Sequence, residues 1–279
     1  MDITQIIKEA FIFPSNDWGK FILYIVFLVV AGFLLAAGFA LSVVGLMNHN
    51  NILLILLGII LVIGYLIVSF MLMGYLIDIT KSGIDGAESA PEFSWKENLI
   101  TGLKYLVVNI VYYIIPAIII YITGVVTNLF GASMKAYNLM FEASKNAPAG
   151  TSVNFYNVVP HSLVTQIGTA FIITVVVAVV LLIIFSFFET MAESRLANTG
   201  SLGEAVNIVE VFKDIGKIGW GKVIAVIVLV IVIMAVINAV INSLSNNISS
   251  LFRILSLVVA PYLLFFRSRA IGLLYSDIA

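Results

Sequence analysis

The sequence predicts an all-α, polytopic integral membrane bundle: six transmembrane helices, with amphipathic interfacial helices on the cytoplasmic face. Three observations predict it. The 279 residues are 62% hydrophobic and 10% charged, whereas a soluble domain is roughly half apolar and about a quarter charged, so 14 Lys+Arg and 15 Asp+Glu cannot cover a soluble exterior. Uncharged apolar runs able to cross about 30 Å of hydrocarbon recur along the chain. Lysine and arginine collect on alternate connections between those runs.

The elements follow in order. Over 3–13, Ile3, Ile6, Ile7, Ala10 and Phe11 share one helical face, with Asp2, Gln5, Lys8 and Glu9 opposite and Pro14 ending the run. Spans follow at 21–47 and 52–77. A second surface helix, 94–104, opens on a capping box of Ser94 and Glu97 and leads into the third span, 105–130. An outer loop, 131–161, precedes the fourth span, 163–188. The third surface helix, 201–214, has a Ser201/Glu204 capping box and an apolar face of Leu202, Ala205, Val206, Val209 and Phe212. Spans five and six are 223–241 and 254–266, the last completed if Arg253 and Arg267 snorkel toward headgroups. Each run must be helical, because a lone segment in lipid has to satisfy its backbone groups internally. The amphipathic helices are expected in the headgroup plane.

Orientation rests on charge. With the N-terminus inside, inner segments carry Lys8, Lys20, Lys81, Lys96, Lys104, Arg195, Lys213, Lys217, Lys222, Arg267 and Arg269, whereas outer segments carry only Lys135, Lys145 and Arg253. Both termini are therefore expected in the cytoplasm, and the location in the cytoplasmic membrane. Gly38-Phe39-Ala40 has the small residues of a signal-peptidase site, but acidic flanks and an apolar run continuing to Met47 argue against cleavage.

Each of the three tryptophans starts an odd-numbered span: Trp18 with Lys20, Trp95 with Lys96, Trp220 with Lys222. Interface anchoring explains this pattern and is favoured over an ancestral duplication of three hairpins. In span one Gly32, Ala36 and Ala40 recur every four residues, with Gly38, Ser42 and Gly45 nearby, so a close-packing face is expected, inside the fold rather than between subunits.

The stretches Ala10-Phe11-Ile12-Phe13-Pro14-Ser15-Asn16-Asp17-Trp18-Gly19-Lys20, Gly74-Tyr75-Leu76, Pro91-Glu92-Phe93-Ser94-Trp95 and Gly102-Leu103-Lys104 carry a further signal. They resemble an uncharacterised family of archaeal, methanogen-type multi-pass membrane proteins, catalogued as domain of unknown function no. 4013. The likeness runs through Pro116 and fades afterwards, apart from Trp220-Gly221-Lys222. It implies an integral protein of a prokaryotic membrane and transfers no functional residue.

Candidate chemistry is sparse. In span three Asn109, Tyr112, Tyr113, Pro116, Thr123 and Thr127 fall on one helical face, a polar seam that should turn away from lipid. Hydrogen bonding between helices with a proline kink is favoured over a solute path. Thr165 and Thr169 near Gly168, and Asn238, Asn242, Ser245 and Ser249, are smaller patches that would line an outward vestibule or mark hydrated span ends. Glu189 and Glu193 stand one turn apart near Arg195 and are read as a solvated helix face or as partners of Arg267 and Arg269. His49 and His161 are isolated, cysteine is absent, and no HExxH, P-loop or GxSxG pattern occurs. Asn247-Ile248-Ser249 fits a glycosylation sequon. No enzyme, metal or cofactor is expected. A net charge near -1 without basic blocks excludes nucleic-acid binding. Expected partners are membrane lipids, other membrane proteins or a second copy. The function expected first is a membrane scaffold or assembly and envelope factor, and second a permease or channel-like protein for a small neutral or lipidic solute.

Overall fold

The computed structural model describes residues 1–48, 51–148, 151–247 and 251–279, with side chains described in all of these but 245–247 and 251–254. The helices are α1 (Ile3–Ile12), α2 (Trp18–Met47), α3 (Ile52–Ile84), α4 (Trp95–Val126), α5 (Leu129–Asn146), α6 (Phe155–Val158), α7 (His161–Thr199), α8 (Leu202–Ala205), α9 (Ile208–Ile218), α10 (Trp220–Asn247) and α11 (Leu251–Tyr275), and a 3-10 turn at Phe13–Ser15 follows α1. Among the described residues six helices are long and apolar enough to cross a membrane: α2, α3, α4, α7, α10 and α11. The architecture is the all-α, six-span arrangement that the apolar runs predict. Asp17 caps α2 by accepting the Lys20 amide at 3.1 Å, and Asn207 caps α9 by accepting the Glu210 amide at 3.3 Å. Gly200, at φ 64°, follows α7 in the left-handed conformation that closes a helix.

The chain divides into two compact units. The first is Met1–Asn109 with Phe187–Ala279, and the second is Ile110–Ser186. The core of the first joins Phe13, Phe21, Tyr24, Leu72, Tyr75, Ile79, Ala90 and Phe265, with Tyr24 edge-on to Phe265 at 5.0 Å. Its helices cross at glycines. An added Cβ on Gly74 would lie 1.8 Å from the Asn98 carbonyl oxygen, and one on Gly102 would lie 1.8 Å from that of Phe70. A Cβ on Gly272 would likewise lie 2.1 Å from the Thr80 carbonyl oxygen. In the second unit Ala132, Ala136, Val159 and Leu163 form a small core, with Leu139, Met140, Val164 and Ile167 against it.

Several expectations change. The segment 131–161 is not a loop: α5 occupies most of its first half, because Lys135, Glu142 and Lys145 break the uncharged run without breaking helical periodicity. Helix 94–104 runs on into the third span, as expected, and forms the first turns of α4, but the Ser94 amide is bonded by Asn98 at 2.7 Å, not by Glu97 as a box requires. The helix predicted over 201–214 breaks at Val206-Asn207 into α8 and α9. Glu204 is drawn from its capping role by Arg195, 2.5 Å away, and Ser201 makes no side-chain cap. On α9 the buried residues are Val211, Asp214 and Ile215, whereas Val209 and Phe212 are exposed. The apolar face of α1 is covered by protein only in part: Ile6 and Ala10 are fully buried, whereas Ile3 and Ile7 are half-buried and Phe11 is exposed, packing edge-on against Tyr262 and Phe266 of α11. Span six does not stop at 266. It continues to Tyr275, and Arg267 and Arg269 turn inward to Glu193 and Glu9 rather than snorkelling. The close-packing face of α2 is Gly38, Ser42 and Gly45 against Gly58 and Ile55, while Gly32, Ala36 and Ala40 are exposed. His49, the Ile248-Ser249 part of the sequon and Ser249 of the vestibule patch lie outside the described residues, as do the side chains of Ser245 and Arg253.

Candidate functional site

In the first unit, α2, α3, α4, α7 and α11 line a half-open cavity of 570 Å³. Its walls are largely apolar: Leu28, Ala31 and Gly32 on α2, Leu72, Met73, Leu76 and Ile77 on α3, and Leu264 on α11. Tyr24, Tyr65 and Ser69 add hydroxyls, and Tyr105, Glu193 and Arg267 form an ionic patch. The patch lies toward one end. Glu193 stands against Thr80, one turn beyond Leu76, and the cavity runs along α3 from Ile77 to Tyr65, a rise of about 18 Å at 1.5 Å per residue.

The patch is tightly bonded. Arg267 donates to Oε1 and Oε2 of Glu193 at 3.3 and 2.9 Å, the Tyr105 hydroxyl donates to Glu189 Oε1 at 2.6 Å and stands 3.4 Å from Glu193 Oε2, and the Thr80 hydroxyl stands 3.1 Å from the Leu76 carbonyl and 3.3 Å from Glu193 Oε1. Glu189 and Glu193 are both buried, not the solvated helix face that is one of the two sequence expectations. Of the pairings the sequence suggests, Glu193 with Arg267 forms, whereas Arg269 goes to Glu9 at 2.6 Å and to the Ser82 carbonyl at 2.6 Å, its guanidinium 4.5 Å from the Phe13 ring centre. Charge burial explains this wiring, since a buried ion is tolerated only when paired and bonded.

Two further clusters tie the same unit. Arg195 donates to Asp214 and Glu204, each at 2.5 Å, and the Tyr275 hydroxyl donates to Asp214 at 2.6 Å, joining α7, α8, α9 and α11. Asn98 donates to Asp78 at 2.5 Å beside the Gly74–Gly102 crossing. Neither is marked by a local motif, since the partners lie far apart in sequence.

The predicted anchors hold mixed positions. Trp18, Trp95 and Trp220 are the first residues of α2, α4 and α10, and all are exposed. Trp95 packs edge-on to Phe27 and Phe93, and Trp220 to Phe212 and Phe188. Lys96 is exposed, but Lys20 is bonded to the Ala90 carbonyl at 2.6 Å and paired with Glu92 at 3.0 Å. Lys222 bonds the Met1 carbonyl at 2.6 Å and pairs with Asp277. Burial raises the Asp277 carboxyl, but the bonds from Lys222 and the Met1 ammonium outweigh it and hold the group below its ordinary value.

Along α4 the seam residues Asn109, Tyr112, Tyr113, Pro116, Thr123 and Thr127 are buried or half-buried, whereas Ile110, Ile114, Ile118, Ile122 and Val126 are exposed. The seam is not a row of free polar atoms. Asn109 donates to the Tyr105 carbonyl at 3.0 Å, Thr123 to Ile119 at 2.8 Å and Thr127 to Thr123 at 2.8 Å, each one turn back on its own helix. In the second unit Thr127 does meet Thr165 and Thr169, with Ser162, Gln166, Ala170 and Ile173, around a space of 450 Å³. Asn238 bonds back to the Met234 carbonyl at 2.9 Å, and both it and Asn242 are exposed.

No curated protein and no solved structure matches the chain. A family model described as "Protein of unknown function (DUF4013)" matches residues 56–245. That stretch runs from α3 into α10. It contains Gly74, Gly102 and Pro91-Glu92-Phe93-Ser94-Trp95, leaves out the Pro14–Lys20 region and Arg267, and reaches well past Pro116. The match covers more than half of the chain, which therefore belongs to the DUF4013 family of proteins of unknown function.

Proposed function

We propose that this protein is a non-enzymatic, multi-pass protein of an archaeal cytoplasmic membrane that takes up a lipidic solute in the cavity between α2, α3, α4, α7 and α11. One observation carries the reading: a 570 Å³ space with apolar walls and a single ionic patch has the size and the polarity of a site for an amphiphile. Gly32 provides the test. It lines the cavity, and a Cβ there would meet nothing within 4 Å, so a large side chain enters the cavity without displacing backbone. The G32W substitution also removes a glycine from a helix interior, which favours the helix by up to about 1 kcal/mol. Purified in mild detergent, the wild type is expected to retain an amphiphile visible by native mass spectrometry, and G32W to lose it while remaining folded and monodisperse. Equal retention by both would remove the cavity as the site.

The scaffold reading keeps one specific support, the exposed Phe212 and Trp220 with Phe188 between α7, α9 and α10, which offer aromatic surface to lipid or to another membrane protein. Proteins that co-purify equally with wild type and G32W would favour it. For the sidedness, both termini are proposed as cytoplasmic on the eleven basic residues of the inner segments. The cysteine-free chain allows single-cysteine labelling: A87C should react from the cytoplasmic side and A147C from the other. Labelling of both from one side would overturn the six-span topology.

A further inference from the structure

We infer that the cavity selects an amphiphile whose head is uncharged and rich in oxygen acceptors, a glycerol or other alcohol head on an apolar chain. This inference rests on the lipidic-solute reading and goes beyond it to the head group. The ionic patch sets the selection. The Glu193 carboxylate accepts two N–H bonds from Arg267, and the Thr80 and Tyr105 hydroxyls stand against its two oxygens at 3.3 and 3.4 Å. An ammonium head reaching Glu193 would therefore have to sit against the Arg267 guanidinium, which already holds both carboxylate oxygens.

Arg267 differs. It carries five N–H donors and commits two to Glu193, and it lines the cavity with its side chain 26% exposed. What the patch can still give to a ligand is donors. Its positive charge is nevertheless already matched by Glu193, with Glu189 close behind through Tyr105. An anionic head would set a second negative group beside Glu193, whose charge already faces the one guanidinium, in a site where poor solvation enlarges the penalty. An uncharged head that accepts from Arg267 avoids both conflicts, and Tyr24, Tyr65 and Ser69 can donate to or accept from its hydroxyls or linkage oxygens. The apolar walls at Leu28, Leu72, Leu76 and Leu264 take the chain that carries the head.

The test uses the full-length protein in detergent and three probes sharing one alkyl chain: a monoalkylglycerol, an alkyl phosphate and an alkylamine. Competition against bound amphiphile, read by native mass spectrometry, should rank the glycerol probe about tenfold tighter than either charged probe. The double variant E193L/R267L, in which the patch becomes apolar, should hold all three within about twofold of one another. A charged probe binding as tightly as the glycerol probe in the wild type would overturn the inference and leave the lipidic reading standing. No binding of any probe would overturn that reading and the inference with it. A preference for the glycerol head that persists unchanged in the double variant would remove the patch as its source.

Discussion

The G102A substitution should cost at least about 3 kcal/mol, a large share of the marginal stability of a folded protein, although it adds only one methyl group. Its Cβ would sit 1.8 Å from the Phe70 carbonyl oxygen and 3.2 Å from the Gly74 nitrogen, and Gly74 in turn faces Asn98 at the same 1.8 Å. The obstacle is backbone on both sides, so no side-chain rotation relieves the overlap and α3 must separate from α4. Separation also strains the Asn98–Asp78 bond beside the crossing and the Tyr105–Glu189 bond one turn further along α4. In lipid, where there is little hydrophobic drive between helices, close backbone approach and its Cα–H···O contacts supply much of the packing. The expected result is a melting midpoint lower by about 10 °C, or loss of monodisperse protein in detergent. G168A is the control. A Cβ there meets nothing within 4 Å, so removing a helical glycine should leave the midpoint unchanged or raise it. Comparable behaviour of the two variants would show that the α3–α4 crossing does not bind the unit together.

The contrast between Gly102 and Gly32 shows what sequence alone could reveal. Gly32, Ala36 and Ala40 have the regular spacing of a packing face, yet they are exposed, while Gly38, Ser42 and Gly45, without that regularity, meet α3. Spacing reports which residues share a face and not which face meets a neighbour, because every face of a lipid-embedded helix is apolar. The spans were legible for the same reason: uncharged length is a local property. Helix ends beyond the charges were less so. The α7 and α11 helices continue through Glu189, Glu193, Arg267 and Arg269, which are paired within the protein, and a search for uncharged runs stops at the first of them. The same blindness hid α5 in an apparent loop. The ionic patch joins Thr80, Tyr105, Glu189, Glu193 and Arg267 from four separated helices, so no motif could announce it. The signal that was present is composition: few charges in the chain, several of them next to spans, each needing a partner.

Removal of Glu193 alone should be the most damaging change at the cavity. In E193L the Arg267 guanidinium loses both of its bonds, and breaking a buried pair from one side costs about 3–5 kcal/mol, here toward the lower end because a quarter of the Arg267 side chain is exposed. R267L should cost less, since a carboxyl can shed its charge by taking up a proton and a guanidinium cannot. The double variant E193L/R267L should be the mildest, within about 1 kcal/mol of wild type, because apolar residues of similar volume often replace a buried pair without loss. Melting midpoints of the four proteins in one detergent check this order, and costs of the single variants that add up in the double would show that the pair does not act as a unit. The expected order has a consequence for function. If leucines can replace the pair without loss of stability, stability does not explain why a costly charge pair stands in the wall of a largely apolar cavity, next to α3 and α4 held at contact distance by Gly74 and Gly102. Recognition of a polar head does explain it: with Arg267 paired to Glu193, the pair offers donors without net charge, and that is the property on which the choice of ligand would turn.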